Sequence, residues 1–213
     1  MGYGMGQTLP PKFSDFMIAH VANQVAQKTE QTIFTGVAAN AGEYDGFQTL
    51  MTADGNIPVG QDLGVVGGGI DAANVIQELS RVVNAIPTSL YGKEDLFIYV
   101  PSSVAKFYVQ ALGGFASQGL GANGVNAQGT QWWNNGSLSV NGVKIFVCPG
   151  MSNNTMFAAQ RSNLYFGTGL LNNMNEVKVL DMQDIDGSQN VRFIMRFTAG
   201  VQYGISEDLV YYS

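Results

Sequence analysis

Apolar and small side chains recur at helical spacing along residues 14–34, a stretch that contains neither Gly nor Pro. The stripe consists of Phe16, Met17, Val21, Val25, Thr29, Ile33 and Phe34. Steps of three and four residues are typical of one face of an amphipathic helix. Pro11 precedes the stretch and Gly36 follows it, so we expect the helix to begin after the proline and to end at the glycine. At 1.5 Å per residue it would be roughly 33 Å long, which suggests a strut along which other layers lie.

Two more helices and a buried strand are predicted in the middle of the chain. Residues 72–85 repeat the helical spacing directly after Asp71, which can cap a helix. The run Leu96–Val100 is β-branched and aromatic and predicts a buried strand, and residues 102–113 again follow a helical pattern. Residues 37–70 are rich in Gly and Asn and predict a long, ordered loop with short strands.

The second half of the chain is predicted to consist mostly of strands. Residues 138–148 read as a hairpin around Asn141-Gly142, a strong turn dipeptide. The other strand-like pieces are residues 156–159, 163–167, 177–182, 190–198 and 201–212. Because helices and strands are mixed in this order, we expect an α+β packing of layers.

Composition narrows the classes of function. Of the 213 residues, 46% are hydrophobic, which supports a proper core, whereas only 12% are charged. A net charge of −6 argues against a general binder of nucleic acid or of anionic membranes, because both need a basic face on the protein. The apolar runs are far shorter than ~18 residues, so we expect no membrane span.

The sequence offers little for catalysis, and we expect the chain not to be an enzyme. His20 is the sole histidine and lies on the long predicted helix, where an exposed helix residue is the better interpretation. Cys148 is the sole cysteine and ends an apolar strand, which is typical of a buried, inert thiol.

Two further patterns are too incomplete to predict a site for a cofactor or a metal. The glycines in residues 64–69 lack the lysine and the spacing of a phosphate-binding loop. Asp181, Asp184 and Asp186 lack the loop pattern and the final Glu of a calcium site. We therefore expect no catalytic residues, no cofactor and no metal.

The candidate site is an interaction loop at residues 115–136, which is rich in Gly, Asn and Gln and contains no charged residue. It begins with Phe115 and holds both tryptophans, Trp132 and Trp133. Two interpretations carry equal weight. The rings pack the loop onto its own domain, or they form a contact between subunits that becomes buried on assembly.

Taken in chain order, these pieces resemble the major capsid protein family of tailed phages, whose Hong Kong phage-type fold is shared with encapsulins. The segments that carry the resemblance are residues 14–36 (the spine helix and its turn), Gly46-Phe47, residues 73–87, residues 91–113, the hairpin and following turn at 141–151, residues 163–167 and residues 191–212. The resemblance covers nearly the whole chain. The order in which the segments follow one another is more specific than any single segment.

The resemblance implies an α+β capsid subunit with an axial domain, a peripheral domain and a long spine helix. Residues 1–68 would hold the spine helix and part of the peripheral domain, residues 69–180 the axial domain, and residues 181–213 the last peripheral strands. Copies would self-assemble into the pentamers and hexamers of an icosahedral virion shell around phage DNA, in the cytoplasm of the host. The partners implied are neighbouring copies, with scaffolding or portal proteins, and neither a specific nucleic-acid sequence nor a membrane.

The sequence departs from the family in lacking the N-terminal arm and the E-loop hairpin that precede the spine helix. Those extensions wrap around neighbouring subunits, so without them we expect a monomer or a small oligomer at moderate concentration. Two other functions remain open: the shell of an encapsulin-like compartment, and a carbohydrate-binding or adhesin module that would use the tryptophan pair.

Overall fold

The computed structural model describes residues 13–64, 67–113, 138–169, 177–182, 187, 191–195 and 198–213. Within them the chain forms four α-helices and ten strands. The helices are α1 (Phe13–Thr35), α2 (Phe47–Ala53), α3 (Val75–Ala85) and α4 (Ser102–Gly113). The strands are β1 (Asp62–Leu63), β2 (Leu96–Val100), β3 (Leu138–Val140), β4 (Val143–Val147), β5 (Met156–Gln160), β6 (Leu164–Thr168), β7 (Val177–Asp181), β8 (Val191–Met195), β9 (Ala199–Tyr203) and β10 (Val210–Tyr212). The fold is therefore a mixed α+β structure, as the sequence predicts.

Six of the strands form one mixed sheet in the order β1-β10-β5-β2-β4-β3. The pairs β1–β10 and β2–β4 are parallel, and the other neighbours in the sheet are antiparallel. Strands β6 and β9 form a separate antiparallel ribbon, and β7 and β8 form another. The sheet joins strands from all three segments of the predicted domain division. That division, with boundaries at 68/69 and 180/181, stays a prediction.

The alternation of side chains along β2 explains why the sheet is covered on both faces. Leu96, Ile98 and Val100 belong to a core that includes buried residues of α3 and α4, whereas Phe97 and Tyr99 belong to a second core on the opposite face. Successive residues of a strand point to opposite faces, so a strand that is apolar at every position requires cover on both sides. The helices α3 and α4 supply one cover, and α2 with the end of α1 supplies the other.

The first core contains one buried charged group, the carboxylate of Glu78 on α3. Its Oε2 accepts a hydrogen bond from the hydroxyl of Tyr212 at 2.8 Å and pairs with Nη1 of Arg81 at 2.6 Å. The Arg81 guanidinium also lies 5.6 Å from the centre of the Tyr212 ring. Because a buried carboxylate is tolerated only when it is paired and hydrogen-bonded, this arrangement fixes α3 over the C-terminal strand β10.

The second core is a row of aromatic rings that leads from the end of α1 across the sheet. The Tyr99 ring stacks on Phe157 of the neighbouring strand, with centroids 4.6 Å apart. Phe157 in turn contacts Phe34 of α1 at 6.5 Å and Phe47 of α2 at 6.4 Å. Aromatic contacts of this kind contribute beyond the area they bury, so the row binds both helices to the middle of the sheet.

The strongest sequence patterns are confirmed. Helix α1 is uninterrupted over residues 14–34, and β2 has the bounds that its apolar run predicts. The hairpin β3–β4 turns at Asn141 and Gly142, whose φ angles of 47° and 81° are both positive, as a type I′ turn requires.

Two predictions were wrong in detail. Residues 37–70 contain the helix α2 rather than only loop and short strands, because Phe47 and Met51 lie one helical turn apart and both enter the second core. Residues 201–212 are not one strand. A 3-10 turn at Ser206–Asp208 separates β9 from β10 and sends β10 into the six-stranded sheet.

Three glycines allow the backbone to pack directly against the end of α1. A methyl group placed on Gly150 would come within 2.5 Å of the carbonyl oxygen of Glu30, and one placed on Gly46 within 2.5 Å of the carbonyl carbon of Phe34. One on Gly36 would overlap the carbonyl oxygen of Tyr44. Gly36 ends the helix as predicted, but its φ is not in the left-handed region, so its lack of a side chain serves close packing. We call these three residues the glycine junction.

Among the residues that the structure describes, the C-terminal part of α1 is the part that packs on a hydrophobic core. Thr32 is buried, and Ile33 and Phe34 pack against the second core, which includes Tyr203 and Tyr211 of the C-terminal strands. Along residues 16–26 most side chains are exposed and the remainder are half-buried. The expected strut is thus anchored at one end.

We predict that Gly150→Ala destabilises the fold by about 1–3 kcal/mol, the range typical of overpacking. The added methyl group would clash with backbone atoms of the helix at Glu30. Backbone atoms inside a helix cannot move aside as the end of a flexible side chain can. Gly60→Ala is the matched control, because a methyl group there has no neighbour within 4 Å. Urea unfolding followed by circular dichroism measures both. Equal unfolding midpoints for the two variants would contradict the close packing at Gly150.

Candidate subunit-contact surface

The residues predicted to form the candidate interaction loop, Phe115, Trp132 and Trp133, lie outside the described residues. Their two interpretations, packing on their own domain and contact between subunits, stay predictions.

The two residues with the most reactive side-chain types are placed apart. His20 is exposed on α1, and its ring stacks on that of Phe16 with centroids 6.4 Å apart. Cys148 is a buried free thiol, as predicted, and its burial raises its pKa to about 12. A thiol that is protonated at neutral pH is a poor nucleophile.

The remaining sequence motifs form no metal site in the part of the chain that the structure describes. Within the described ranges no group of three or more His, Cys, Asp or Glu side chains is placed to hold a metal ion. Asp184 and Asp186 lie outside those ranges, as do residues 65–66 of the glycine run. Gly69 has a φ of 78° and packs against the side chain of Asn154. In the same part of the chain, no helix is both long and apolar enough to cross a membrane.

The structure instead exposes apolar side chains at several places, the first of which is the outer half of α1 (residues 16–26). Phe16 is 53% exposed there and Ile18 is also exposed. Met17, Val21 and Val25 continue the apolar stripe and are half-buried. Large apolar groups that remain in contact with water on a folded chain mark candidate contact surfaces.

The second place is the ribbon patch, which consists of Tyr165 on β6, the facing glycines Gly167 and Gly200, and the turn residues Gly204 and Ile205. Tyr165 is 58% exposed, and Ile205 is also exposed. A methyl group on Gly204 would come within 3.3 Å of Cε2 of Tyr165, so the ring lies close to this turn. Gly167 pairs with Gly200 in the ladder, which leaves a shallow, apolar hollow next to the Tyr165 ring.

The aromatic row of the second core also ends in solvent. Phe146 on β4 pairs with Tyr99 in the sheet, with ring centroids 5.7 Å apart, and remains exposed. The cover provided by α1 and α2 therefore stops before this strand.

Hydrogen-bonded carboxylates hold the surface loops around these places. Asp54, at the end of α2, accepts hydrogen bonds from the hydroxyls of Tyr203 at 2.8 Å and Ser206 at 2.6 Å, and from the backbone N–H of Asn56 at 2.9 Å. These bonds lower the pKa of Asp54 to about 2, the Ser206 hydroxyl having the largest effect. Because Ser206 follows Ile205, Asp54 fixes one side of the ribbon patch.

A second carboxylate ties the loop after α1 back onto the helix. Glu43 pairs with Lys28 at 2.5 Å and accepts hydrogen bonds from Asn40 and from the backbone N–H of Val37. These contacts lower the pKa of Glu43 to about 2, and the contact with Lys28 has the largest effect. The loop ends are joined by the Gly46 N–H, which donates to the carbonyl of Gly36 at 2.9 Å.

Sequence reasoning did not single out the ribbon patch. Tyr165 lies in a short piece predicted only as strand and turn, and the pattern does not show that three successive residues of β6, Tyr165, Phe166 and Gly167, are exposed. The signal available was the pair of glycines, since glycine inside a strand often marks a close approach by another chain or ligand.

No protein-family model matches the sequence, and no curated protein matches it. Among solved structures, the fold is similar to one titled "Mycobacterium phage Che8", with a TM-score of 0.58 and 11% identity over 94% of this chain. It is also similar to one titled "Satellite phage P4 procapsid including size determination (Sid) protein", with a TM-score of 0.55 and 9% identity over 95% of this chain. The chain spans 63% and 67% of the lengths of those two chains. At such low identity the likeness shows the fold alone.

We predict that Asp54→Asn lowers stability at neutral pH and that its effect shrinks as the pH falls. The pKa of Asp54 is lowered from 3.8 to about 2 in the folded chain. The carboxylate therefore contributes stability above its unfolded pKa, and this contribution is lost as the pH falls from about 4 towards 2. Thermal unfolding of both proteins across this range measures the difference.

Asp62→Asn is the control for this experiment. Asp62 is exposed, and its carboxylate makes no hydrogen bond or ion pair among the described residues. A difference between Asp54→Asn and the parent chain that stays constant from pH 6 to pH 2 would contradict the role of the charged form.

Proposed function

We propose that the chain is a structural subunit of a tailed-phage or prophage capsid, which self-assembles into pentamers and hexamers of an icosahedral shell around DNA. The observation that carries the proposal is the similarity of fold to the two phage structures, which extends over 94% and 95% of this chain. The resemblance of the sequence to the capsid proteins of tailed phages, which rests on the order of its predicted elements, supports the same proposal. The location would be the virion, and the partners would be neighbouring copies, with scaffolding or portal proteins.

The surface chemistry supports self-association better than catalysis. Charged residues make up only 12% of the chain, and aromatic side chains are exposed on α1, on β4 and in the ribbon patch. Interfaces between proteins are enriched in aromatic residues and poor in charge at their centres. A structural subunit needs no catalytic residues and no cofactor, and we propose that this chain is not an enzyme. Its net charge of −6 suits a shell that must release its genome, because such a shell gains little from tight contacts with DNA phosphates.

The proposal also gives roles to the parts of the fold. The axial domain would be residues 69–180, built on the six-stranded sheet with α3 and α4, with β1 and β10 completing that sheet. The peripheral domain would combine α1, as the spine helix, with α2 and the strands after residue 180. A cyclic contact is head-to-tail, so each surface patch would meet a different patch on the next copy.

We predict that the purified chain is a monomer or a small oligomer at moderate concentration and forms pentamers and hexamers as the concentration rises, measured by sedimentation velocity and native mass spectrometry. Tyr165→Asp should weaken this association, because burying an exposed aromatic ring at an interface typically contributes about 2 kcal/mol, roughly thirtyfold in affinity. Val59→Asp is the control, since Val59 is 92% exposed but lies outside the ribbon patch.

Two results would count against this proposal. A chain that stays monomeric at every concentration would contradict the self-assembling subunit. Specific binding on a glycan array by a monomer would favour the carbohydrate-binding module instead.

Loss of association in Val59→Asp but not in Tyr165→Asp would place the contact away from the ribbon patch.

We also predict that Trp132 and Trp133 become shielded from water on assembly. Their emission should shift to the blue, and quenching by iodide should fall, in the oligomer fraction relative to the monomer fraction. Rings that are already fully protected in the monomer would instead belong to the core of their own domain.

A further inference from the structure

Two adjoining hollows lie along the C-terminal end of α1. The first, of about 410 Å³, is lined by the helix on one side and by residues 149–152 on the other. The second, of about 380 Å³, is lined mainly by α2, by Ser152 and Thr155, and by Tyr211 of β10. Thr35 and Ser152 line both hollows, so together the hollows form one polar groove, which we call the α1 groove.

The threonine hydroxyls of the α1 groove have already given their protons to acceptors inside the chain. Each of the four donates to a backbone carbonyl. The pairs are Thr35 with Gln31, Thr49 with Gly36, Thr52 with Gln48, and Thr155 with Ser152. Because a hydroxyl has one proton and two lone pairs, each of these oxygens can form further hydrogen bonds only as an acceptor.

The phenol of Tyr211 has also used its proton. Its oxygen lies 2.9 Å from Oγ1 of Thr52, and since the Thr52 proton is given to the carbonyl of Gln48, the phenol is the donor. Among the described residues no donor reaches the hydroxyl oxygens of Thr35, Thr49 or Tyr211. The groove therefore presents acceptors that lack donors, and it favours a guest that brings N–H groups.

The first hollow also contains a carboxylate that has no counter-ion. Glu30 is half-buried on α1 and makes no hydrogen bond or ion pair within the described part of the chain. Lys28, the nearest basic residue in the sequence, pairs with Glu43 instead. The charge of Glu30 acts inside the fold, because it adds to the burial that raises the pKa of Cys148. A half-buried negative charge without a partner attracts a cation more strongly than a fully solvated one does.

Contacts within the chain fix the walls of the groove before any guest binds. Gly150 packs on the helix backbone at Glu30 with no room for a Cβ atom. The backbone N–H of Ser152 donates to Oε1 of Gln48 at 3.2 Å, and Nε2 of Gln48 donates to Oγ1 of Thr155. A site whose acceptors are already in place loses little conformational freedom when a guest arrives.

We propose that the α1 groove binds an alkylguanidinium or alkylammonium group, with Glu30 as its counter-ion and the hydroxyl oxygens as its acceptors. Both groups are positively charged and carry N–H donors without acceptors, which matches the groove in charge and in hydrogen bonding. The group belongs either to a free small molecule or to a Lys or Arg side chain of another copy. This inference goes beyond the proposed capsid function, and it is tested on the monomer, so either can fail without the other.

The test is an NMR titration of the ¹⁵N-labelled full chain, as its monomer fraction, with agmatine, which carries both a guanidinium and an ammonium group. We expect saturable shifts of the backbone amides of Gly150, Met151 and Ser152, which belong to the wall of the first hollow. The neutral probe n-butylurea has a head group of similar shape without the charge, and it should bind at least about tenfold more weakly. Equal affinities for the two probes, or the absence of saturable shifts with agmatine, would overturn the proposal.

A matched pair of variants tests the counter-ion. Glu30→Gln keeps the size of the side chain and removes its charge, so agmatine should bind at least about tenfold more weakly. Glu94→Gln changes the net charge by the same amount at an exposed residue outside the groove, and its affinity for agmatine should equal that of the parent chain. Neither carboxylate makes a hydrogen bond or ion pair among the described residues, so we expect both variants to fold.

Sedimentation velocity of the same variants distinguishes the two sources of the cation. If Glu30→Gln also loses self-association, the group belongs to a basic side chain of a neighbouring copy. The exposed residues Lys106, Lys144 and Arg161 are candidates, since none forms an ion pair within the described residues. If self-association is unchanged, the group belongs to a free small molecule. Agmatine binding by Glu30→Gln as tight as by Glu94→Gln would overturn the proposal whatever the state of association.

Discussion

The structure depends on one close contact, in which loop backbone packs against the backbone of α1 at its C-terminal end. Gly46 and Gly150 pack against the backbone of α1, Gly36 ends the helix and packs against the carbonyl of Tyr44, and none of the three has room for a Cβ atom. Side chains could not replace this contact, since any of them would push α1 away from the sheet. With the helix held at this distance, Phe34 reaches Phe47 and Phe157, and the row of rings fixes both helices over the six-stranded sheet.

Anchoring at one end has a functional consequence. The last turns of α1 are held in place by packing at the glycine junction and the aromatic row. Residues 16–26, in contrast, expose Phe16 and Ile18 to solvent. A helix that projects apolar surface beyond its own core is suited to bind something else. The ribbon patch at Tyr165 and the exposed Phe146 add to that surface, which suits the proposed contact between copies.

Sequence reasoning succeeded where a single physical pattern governs a segment. The stripe of α1, the run Leu96–Val100 and the Asn141-Gly142 turn each encode their local structure, and their bounds agree closely with the structure. It failed at α2, where seven residues are helical only because Phe47 and Met51 find the second core. The ribbon patch was missed because exposure of Tyr165 depends on which strand pairs with β6, and that is a long-range property. The resemblance to capsid proteins came from the order of pieces, and the two phage structures show a similar fold over nearly the whole chain.

Hydrogen exchange of α1, compared between monomer and oligomer fractions by mass spectrometry, tests the central claim most directly. The account predicts slow exchange at residues 29–35 in both fractions, because the glycine junction and the second core hold that end of the helix. It predicts faster exchange at residues 16–26 in the monomer, because amides in weakly packed segments open more readily, and clear slowing there in the oligomer. Uniform protection along α1 in the monomer, or no slowing of residues 16–26 on association, would contradict a helix anchored at one end and completed by its partner.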